Sequence, residues 1–367
     1  MDNDLFYQIA LTKVPHIGDV QAKILVQILG SPGNVFNTAS RFLEKIEGIG
    51  KIRANAIKNF KSFKQVEQEI RFITKNNIQP LFFTSEEYPK RLLNCADSPV
   101  LLYFKGNTDL NHEKIISIAG TRNHSDYGQS TCEELIEALS DYSITVVSGL
   151  AYGIDTIAHK TALANKQHTI AVLAHGLHTI YPNVNFNLAK EMEKEGGLLT
   201  EFCSTNKPDK QNFPRRNRIT AGMCDALVIV ESGAKGGSLI TADIANSYHK
   251  DVFAFPGRAY DLKSEGCNQL IKSNKAQLIT SAKDILKMMG WEHHRKTEKS
   301  TQLKLFANLT DIEKKIVDLL FIEKTAHIDT LKLKCKLSSN EIAGALLDLE
   351  LSGKINALPG KMFRLSK

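Results

Sequence analysis

The sequence lacks closely spaced cysteines. Its six cysteines stand singly and form no C-x-x-C pair, at positions 95, 132, 203, 224, 267 and 335. That pattern predicts neither a zinc site nor a disulfide framework. We therefore expect reduced thiols in a cytoplasmic protein with no metal and no cofactor.

Long apolar runs are also missing. No stretch is long enough to cross a bilayer, and the start Met1-Asp2-Asn3-Asp4 lacks the basic and apolar regions of a signal peptide. We expect no membrane contact. The chain has 367 residues, 42% of them hydrophobic, which is enough for several domains with separate cores. Its formal net charge of +7 permits a polyanionic partner without requiring one.

The first segment, residues 1–68, contains an internal near-repeat. Residues 14–18 read V-P-H-I-G and residues 46–50 read I-E-G-I-G, and a helical pattern follows each. The repeat resembles the helix-hairpin-helix motif of small helical, SAM-like domains, although His16 replaces one glycine in the first copy. Such a segment serves either as a packing module or as a contact to DNA that is independent of base sequence. The sequence leaves both roles open.

The central part of the chain alternates short apolar runs with helical patterns. After a connecting segment at residues 69–110, this alternation extends over residues 111–290. It predicts an α/β fold, with an extended Rossmann-like, doubly wound parallel sheet. Ligands of such sheets bind at the carboxyl ends of the strands.

The last part of the chain predicts a small separate domain. Residues 291–306 are polar and mixed in charge, as in a linker. Residues 307–367 predict three short helices and a hairpin, which resembles a winged helix. The predicted third helix carries no lysine or arginine before Lys354. Contact with another protein is therefore as well supported as DNA reading in the major groove.

Four segments of the central domain bring glycines or cations to the end of a predicted strand: residues 120–128, 148–155, 213–219 and 231–242. Residues 148–155 do not match the G-x-G-x-x-G fingerprint and lack its acidic ribose-binding residue, so bound NAD is not predicted. Lys235 precedes its glycine pair, unlike the P-loop lysine, so ATP hydrolysis by that route is not predicted either. Asp155 is a candidate helix cap.

Five cations of these segments are predicted to share one edge of the sheet: Arg122, Arg215, Arg216, Arg218 and Lys235. Because like charges repel, their convergence indicates an anionic ligand. Phe213 and Tyr127 are available to stack on bases, although a place in the core is an alternative for both rings and explains Phe213 equally well. A groove that accepts any base sequence needs this combination of cations and aromatic rings.

The ordered motifs closely resemble the DNA-processing protein A (DprA/Smf) family over nearly the whole chain. They are G-T-R-x-x-S-x-Y-G at 120–128, S-G-L-A-x-G-I-D at 148–155, F-P-R-R-N-R-I at 213–219, G-S-L-I-T-A at 237–242 and F-P-G at 255–257. One departure is Gly236, where the family often has serine. The length and order of the set make this resemblance far more specific than any single motif.

The resemblance implies a function that is not enzymatic. Members of the family bind single-stranded DNA, protect incoming DNA, load the RecA recombinase onto it in natural transformation and recombination, and form homodimers through the Rossmann-like domain. Arg216 fills the variable position of its motif, which leaves its role open. The candidate DNA-binding residues are Arg122, Arg215, Arg218, Lys235, Phe213, Arg216, Gly120, Ser125, Gly149, Asn217, Gly237 and Ser238.

Two rival interpretations are less well supported by the sequence. A related family of Rossmann-like nucleotide N-glycosidases has the motif P-G-G-x-G-T-x-x-E, and alignment of its Gly-Thr with residues 237–238 places Thr241 at the catalytic glutamate. His175 and His178 lack a cluster of carboxylate partners, which argues against a metal or base role. A winged-helix regulator would not need the large central domain.

Overall fold

The computed structural model describes residues 3–292, 309–323, 325–335, 337–352, 354–358 and 360–365. The chain forms two compact units, Met1–Arg295 and Lys296–Lys367. The predicted boundary at residue 68 falls inside the first unit. Nearly all of the predicted linker at 291–306 lies outside the described residues. Within those residues, no helix combines the length and the apolar character that spanning a membrane requires.

The first unit begins with helices that surround an apolar core, to which Phe82, Leu101 and Tyr103 of the sheet also contribute. Ser31 shows why one of them starts where it does, because its hydroxyl accepts a hydrogen bond from the Asn34 N–H, and Pro32 occupies the first helical position. The helices are α1 (Asn3–Thr12), α2 (Asp19–Leu29), α3 (Pro32–Asn37), α4 (Ser40–Leu43), α5 (Gly50–Lys58) and α6 (Phe63–Lys75).

The near-repeat forms two turns that lie side by side. Gly18 precedes helix α2, and Gly50 begins helix α5. His16 and Gly48 have positive φ angles of 64° and 79°, so His16 adopts a backbone conformation that glycine accepts more easily. The Arg53 guanidinium donates hydrogen bonds of 2.9 Å to the carbonyl oxygens of both residues. This arginine therefore fastens the two turns to each other.

Nine strands form the sheet of the first unit, in the order β1-β2-β6-β5-β4-β3-β7-β8-β9. Strands β3 to β9 are parallel, whereas β2 pairs antiparallel with β1 and β6. The parallel sheet predicted for residues 111–290 is confirmed, and the segment at residues 69–110 extends it at one edge by β1 and β2, which pair antiparallel with each other. The strands are β1 (Gln79–Phe82), β2 (Leu101–Gly106), β3 (Ile115–Ala119), β4 (Thr145–Ser148), β5 (Thr169–Val172), β6 (Gly197–Thr200), β7 (Ala226–Ile229), β8 (Asp251–Ala254) and β9 (Gln277–Leu278).

Helices cover both faces of this sheet, as the doubly wound prediction requires. Side chains of one strand alternate between the faces, so Ile115 and Ile116 belong to different apolar cores. Helices α11 to α13 pack on one face, and α8, α9 and α14 on the other. The helices are α7 (Lys90–Leu93), α8 (Asp126–Leu139), α9 (Ile154–Ala164), α10 (Phe186–Glu195), α11 (Asn212–Met223), α12 (Gly237–Ser247), α13 (Glu265–Lys272) and α14 (Ala282–Met288).

The strand order reverses between β3 and β7. From β3 the chain proceeds outward through β4, β5 and β6, and then crosses back to place β7 on the other side of β3. At such a switch point the loops that leave the two central strands diverge and open a crevice at their carboxyl ends. The crevice lies between the loops that follow Ala119 and Ile229.

The second unit is a winged helix, as the sequence predicts. It contains α15 (Asp311–Glu323), β10 (Ala326–His327), α16 (Ile328–Cys335), α17 (Ser339–Leu351), β11 (Ile355–Leu358) and β12 (Met362–Leu365), with a sheet ordered β10-β12-β11. Ser338 and Glu341 form a capping box that starts α17, in which each side chain accepts a backbone N–H of the other residue.

Candidate functional site

A cavity of about 610 Å³ lies at the crevice between β3 and β7. Five segments contribute to its wall: the loop after β3, the loop after β4, the loop after β5, the first turns of α11 with the residues just before them, and the start of α12. Its lining includes Gly120, Arg122, Gly149, Asp155, Tyr181, Lys210, Phe213, Arg216, Asn217, Gly237, Ser238 and Thr241. The cavity therefore brings together eight of the twelve predicted site residues. The other four, Arg215, Arg218, Lys235 and Ser125, do not line it.

The arginine block is helical, which corrects the prediction of a loop at the strand edge. Residues 213–219 lie in the first turns of α11, where Pro214 is tolerated because its missing N–H has no partner in the helix. A turn of 3.6 residues separates the block into two faces. Phe213, Arg216 and Asn217 line the cavity, whereas Arg215 and Arg218 lie on the other side of the helix.

Arg216 is buried in the cavity wall. Its Nη1 donates hydrogen bonds to the carbonyl oxygens of Gly149 and, at 2.6 Å, Val172, and its Nε donates to Asn217 Oδ1 at 3.1 Å. Burial lowers the pKa of Arg216, and the nearby Asp155 carboxylate opposes that effect. Asp155 itself has a raised pKa because of burial. The guanidinium therefore fastens the carbonyl ends of β4 and β5 and leaves a positive surface toward the cavity.

Asp155 occupies a different position from the predicted helix cap. Helix α9 begins one residue earlier, with Gly153 at the cap position. The Asp155 carboxylate accepts a hydrogen bond of 3.2 Å from the Ala151 N–H and faces the cavity together with Arg216. It therefore stabilises the loop after β4 and balances the buried guanidinium.

Arg122 stands exposed at the cavity and lies over an aromatic ring. Its Cζ is 4.9 Å from the centroid of the Phe213 ring, a cation–π arrangement. The Tyr181 ring meets Phe213 edge to face, with 6.2 Å between the ring centroids. Phe213 is half-buried and contacts both Arg122 and Tyr181. The cation and the two aromatic rings therefore form one ledge at the cavity.

Arg215 and Arg218 have carboxylate partners of their own. Glu201 Oε2 accepts hydrogen bonds from the Nη2 of Arg215 at 3.0 Å and of Arg218 at 2.5 Å, and Asp19 Oδ2 lies 3.0 Å from Arg218 Nη2. The inference that the whole block needs an external anion is therefore wrong for this pair. Arg215 remains 57% exposed as a side chain, whereas Arg218 is only 11% exposed and ties α11 to the N-terminal helices.

Ser125 is engaged as a helix cap. Its Oγ accepts the Gly128 N–H at 3.1 Å and donates to Glu231, whose carboxylate also accepts the Ser125 N–H at 2.8 Å. The buried Glu231 thus connects the loops that follow β3 and β7. Close packing explains why residue 120 is a glycine, because an added Cβ would lie 2.5 Å from the Ile154 side chain.

Lys235 projects into solvent from the turn before α12. It is exposed, and its neighbours Gly236 and Gly237 line the cavity. An added Cβ on Gly237 would meet nothing within 4 Å, so the backbone there is open to a ligand. Ser238 is buried and donates a 2.8 Å hydrogen bond to Ser232, which holds the turn in shape.

Sequence reasoning missed Tyr181 and Lys210, both of which line the cavity. Lys210 stands three positions before Phe213 in a polar segment, and that proximity was the available signal. No pattern in the sequence indicated Tyr181, because the loop after β5 comes near the cavity only in the folded chain.

His175 is buried, and burial lowers its pKa. Its Nε2 accepts the Tyr181 N–H at 3.2 Å, so His175 positions the segment that carries Tyr181. Among the described residues, no group of three or more His, Cys, Asp or Glu side chains could hold a metal ion.

The fold and the cavity define a Rossmann-like protein with a cation-lined crevice at its switch point and a C-terminal winged helix. Comparison with known families is consistent with that class. The family described as "DNA recombination-mediator protein A" matches residues 79–290, and the "DprA winged helix domain" matches residues 305–361. The chain belongs to this DprA/Smf family.

Relatives match over much of the chain. It is 34% identical to Protein Smf of Escherichia coli (strain K12) over 307 residues, which cover 83% of this chain and 82% of that protein. It is 41% identical to the DNA processing protein DprA of Streptococcus pneumoniae over 199 residues, which cover 54% of this chain and 70% of the relative.

Two solved structures share the fold. The X-ray structure of DprA from S. pneumoniae superposes with a TM-score of 0.67 at 31% identity, covering 77% of this chain and 97% of that one. The DNA processing protein A of Helicobacter pylori superposes with a TM-score of 0.54 at 30% identity, covering 59% and 97%, and its structure is described in terms of a single-stranded DNA binding mode.

Proposed function

We propose that this protein binds single-stranded DNA in the cavity at the switch point and acts as a recombination mediator. The observation that carries the proposal is the ledge of Arg122 on Phe213, with Tyr181 beside it. A cation for the phosphates next to rings for the bases is what binding without base selection requires. The description of the H. pylori relative as a binder of single-stranded DNA supports the same function.

The proposed contacts differ among the predicted residues. Arg122, Phe213 and the buried Arg216 face the strand in the cavity, and the open backbone at Gly237 lets it approach closely. Exposed Lys235 and Arg215 attract phosphates outside the cavity. Gly120, Ser125, Gly149, Asn217, Ser238 and Arg218 hold the wall in place.

The test is a fluorescence anisotropy titration of the full chain with a labelled oligothymidylate and with a duplex of equal length. We expect tighter binding of the single strand. Arg122→Ala should weaken it and reduce the slope of log affinity against log salt by about 0.7, since one phosphate contact is lost. Arg71, an exposed arginine paired with Glu67 on α6, gives the matched control Arg71→Ala. Equal losses for the two variants would contradict the assignment.

We further propose that the bound strand is handed to RecA by a cytoplasmic homodimer formed through the Rossmann-like domain. The family membership supports this step. RecA filament formation on a single strand should be faster with this protein than without it, and light scattering should give twice the chain mass. A monomeric mass, or no effect on RecA, would remove this part of the proposal while the binding test stands.

We propose that the protein is not an enzyme. Thr241 lines the cavity where the nucleotide N-glycosidase interpretation needs a glutamate. The Asp155 carboxylate in the wall is engaged by Ala151 and lies beside Arg216. Incubation with nucleoside monophosphates should release no free base. Release of a base, abolished by Asp155→Asn, would instead support the glycosidase.

A further inference from the structure

Tyr260 is fully exposed on the turn that follows β8. Its relative exposure is 100%, and that of Leu262 two residues later is 78%. Single apolar side chains on a surface need no explanation. This pair stands out because the turn that presents it, residues 257–264 (the Tyr260 turn), is fixed by hydrogen bonds and adjoins the cavity.

The Tyr260 turn is rigidly built. The Asp261 N–H donates to the Arg258 carbonyl at 3.1 Å, and the Ser264 N–H donates to the Asp261 carbonyl at 3.0 Å. The Asp261 carboxylate accepts the Lys263 N–H at 3.0 Å and the Ser264 hydroxyl at 3.1 Å. Asp261 is therefore turned inward, and the Tyr260 ring is held outward on a preorganised backbone.

The turn contacts both loops that border the cavity. Lys263 Nζ donates to the carbonyl of His124, two residues after Arg122, at 3.2 Å. The Leu262 carbonyl lies 3.2 Å from the position of a Cβ on Gly233, two residues before Lys235. The exposed ring is thus on the same continuous surface as the cations at the cavity rim.

The charges around Tyr260 suit a phosphate backbone. Arg258 and Lys235 are exposed, and Lys263 adds a third cation. Glu265, the first residue of α13, is an exposed carboxylate that follows the turn in the sequence, whereas the Asp261 carboxylate accepts hydrogen bonds inside the turn. An exposed aromatic ring flanked by cations is the arrangement on which a nucleic-acid base stacks while its phosphates are neutralised.

We propose that the Tyr260 turn is a second subsite for the DNA strand, where a base stacks on Tyr260 after the strand leaves the cavity past Lys235. Arg258 then neutralises a phosphate of that nucleotide. This proposal rests on the proposed single-strand binding and extends it to a longer footprint. The site accepts any base, because a stacking contact reads no hydrogen-bond pattern.

The test compares the wild-type chain with Tyr260→Ala in anisotropy titrations against oligothymidylates from about 4 to about 16 nucleotides, the range of site sizes of folds that bind single strands. Strands that fill only the cavity should bind both proteins equally. Strands that reach the turn should bind Tyr260→Ala roughly five- to tenfold more weakly, as the loss of one exposed stacking contact predicts. Tyr260→Phe keeps an aromatic ring and should bind the long strands as tightly as the wild type does.

Controls separate this proposal from the one on which it rests. Leu262→Ala removes an exposed side chain of the same turn that cannot stack, and it should bind all lengths like the wild type. Arg122→Ala should weaken binding at every length. If Arg122→Ala weakens binding but Tyr260→Ala matches the wild type at all lengths, the second subsite is refuted and the cavity stands. If the wild-type chain binds no single strand, both proposals fail.

A spectroscopic test reports stacking directly. The chain has one tryptophan, Trp291, which is buried, so Tyr260→Trp adds an exposed indole. Its fluorescence should be quenched by a long oligothymidylate and unchanged by a short one. Lack of quenching at saturating long strand would overturn the stacking. Loss of the wild-type oligomer in Tyr260→Ala, with DNA affinity unchanged, would instead identify the ring as a protein contact and also overturn the proposal.

Discussion

The Arg216 guanidinium lies directly against the backbone of Gly149. Its Nη1 donates a hydrogen bond to the Gly149 carbonyl, and an added Cβ on Gly149 would lie 1.9 Å from that same nitrogen. Two motifs that are far apart in the sequence are therefore parts of one contact. The glycine is required by the arginine that packs on it, and the arginine fastens the strand ends that form the cavity wall.

The first prediction concerns this contact. Gly149→Ala should lower the melting temperature, because the new Cβ displaces a buried guanidinium and such overpacking costs about 1–3 kcal/mol. The matched control is Gly237→Ala, since a Cβ there meets nothing within 4 Å. Calorimetry of both variants measures the difference. Equal melting temperatures would contradict the proposed packing role of Gly149.

The second prediction concerns Arg218. Its partner Glu201 is buried, and burial raises the pKa of that carboxyl although Arg218 and Arg215 both oppose the effect. Arg218→Met should therefore destabilise the fold by about 3–5 kcal/mol, because it leaves a buried carboxylate without its main partner. Urea unfolding gives the measurement.

Arg215→Met is the control for Arg218, because Arg215 shares the Glu201 carboxylate from an exposed position. A surface pair of this kind contributes about 1 kcal/mol or less. The double variant Arg218→Met with Glu201→Gln should recover part of the stability. Equal destabilisation by the two single variants would show that Arg218 stabilises the fold no more than the exposed Arg215 does.

The third prediction separates stability from binding at Ser125. Ser125→Ala removes the cap of α8 and one hydrogen bond to Glu231, so it should cost about 1 kcal/mol of stability. The affinity for single-stranded DNA should not change. Ser130→Ala, an exposed position on the same helix, should alter neither quantity. A loss of affinity in Ser125→Ala without a loss of stability would give Ser125 a direct contact.

The fourth prediction is a dependence of stability on pH. His159 is fully buried, its Nδ1 lies 2.7 Å from the Thr169 hydroxyl oxygen, and its pKa is lowered from 6.5 to about 3 by burial and by Arg216. The folded protein therefore holds this imidazole neutral while the unfolded chain binds a proton. The contribution of His159 is fully present above pH 6.5 and is lost as the pH falls toward 3.

The measurement is the free energy of unfolding in urea between neutral and acidic pH for the wild type and His159→Leu. The wild type should lose up to about 1.4 kcal/mol more per pH unit than the variant below the unfolded pKa. Both proteins share all other titrating groups, including His175. Parallel pH profiles would show that the His159 ring gains a proton in the folded state.

Much of the fold can be predicted from the sequence, because helices and strands have local patterns of apolar residues. Alternating apolar runs predict the parallel strands, and the pattern of residues 307–367 predicts the three helices and the hairpin that the structure has. The apolar run at residues 100–102 indicates the strand Leu101–Gly106, but the edge strand Gln79–Phe82 is not predicted. Its hydrogen-bond partner is Leu101–Gly106, and the chain between the two strands includes helix α7, so no local pattern records their pairing.

The sequence by itself determined the family, the order of the motifs and the presence of three clustered arginines. Only the tertiary structure decided what each arginine does. The helical turn of α11 directs Arg216 into the cavity wall, and Glu201 and Asp19, distant in the chain, draw Arg218 away from it. Ion pairs and packing of this kind depend on which remote residues the fold brings within a few ångströms, and no local pattern records that.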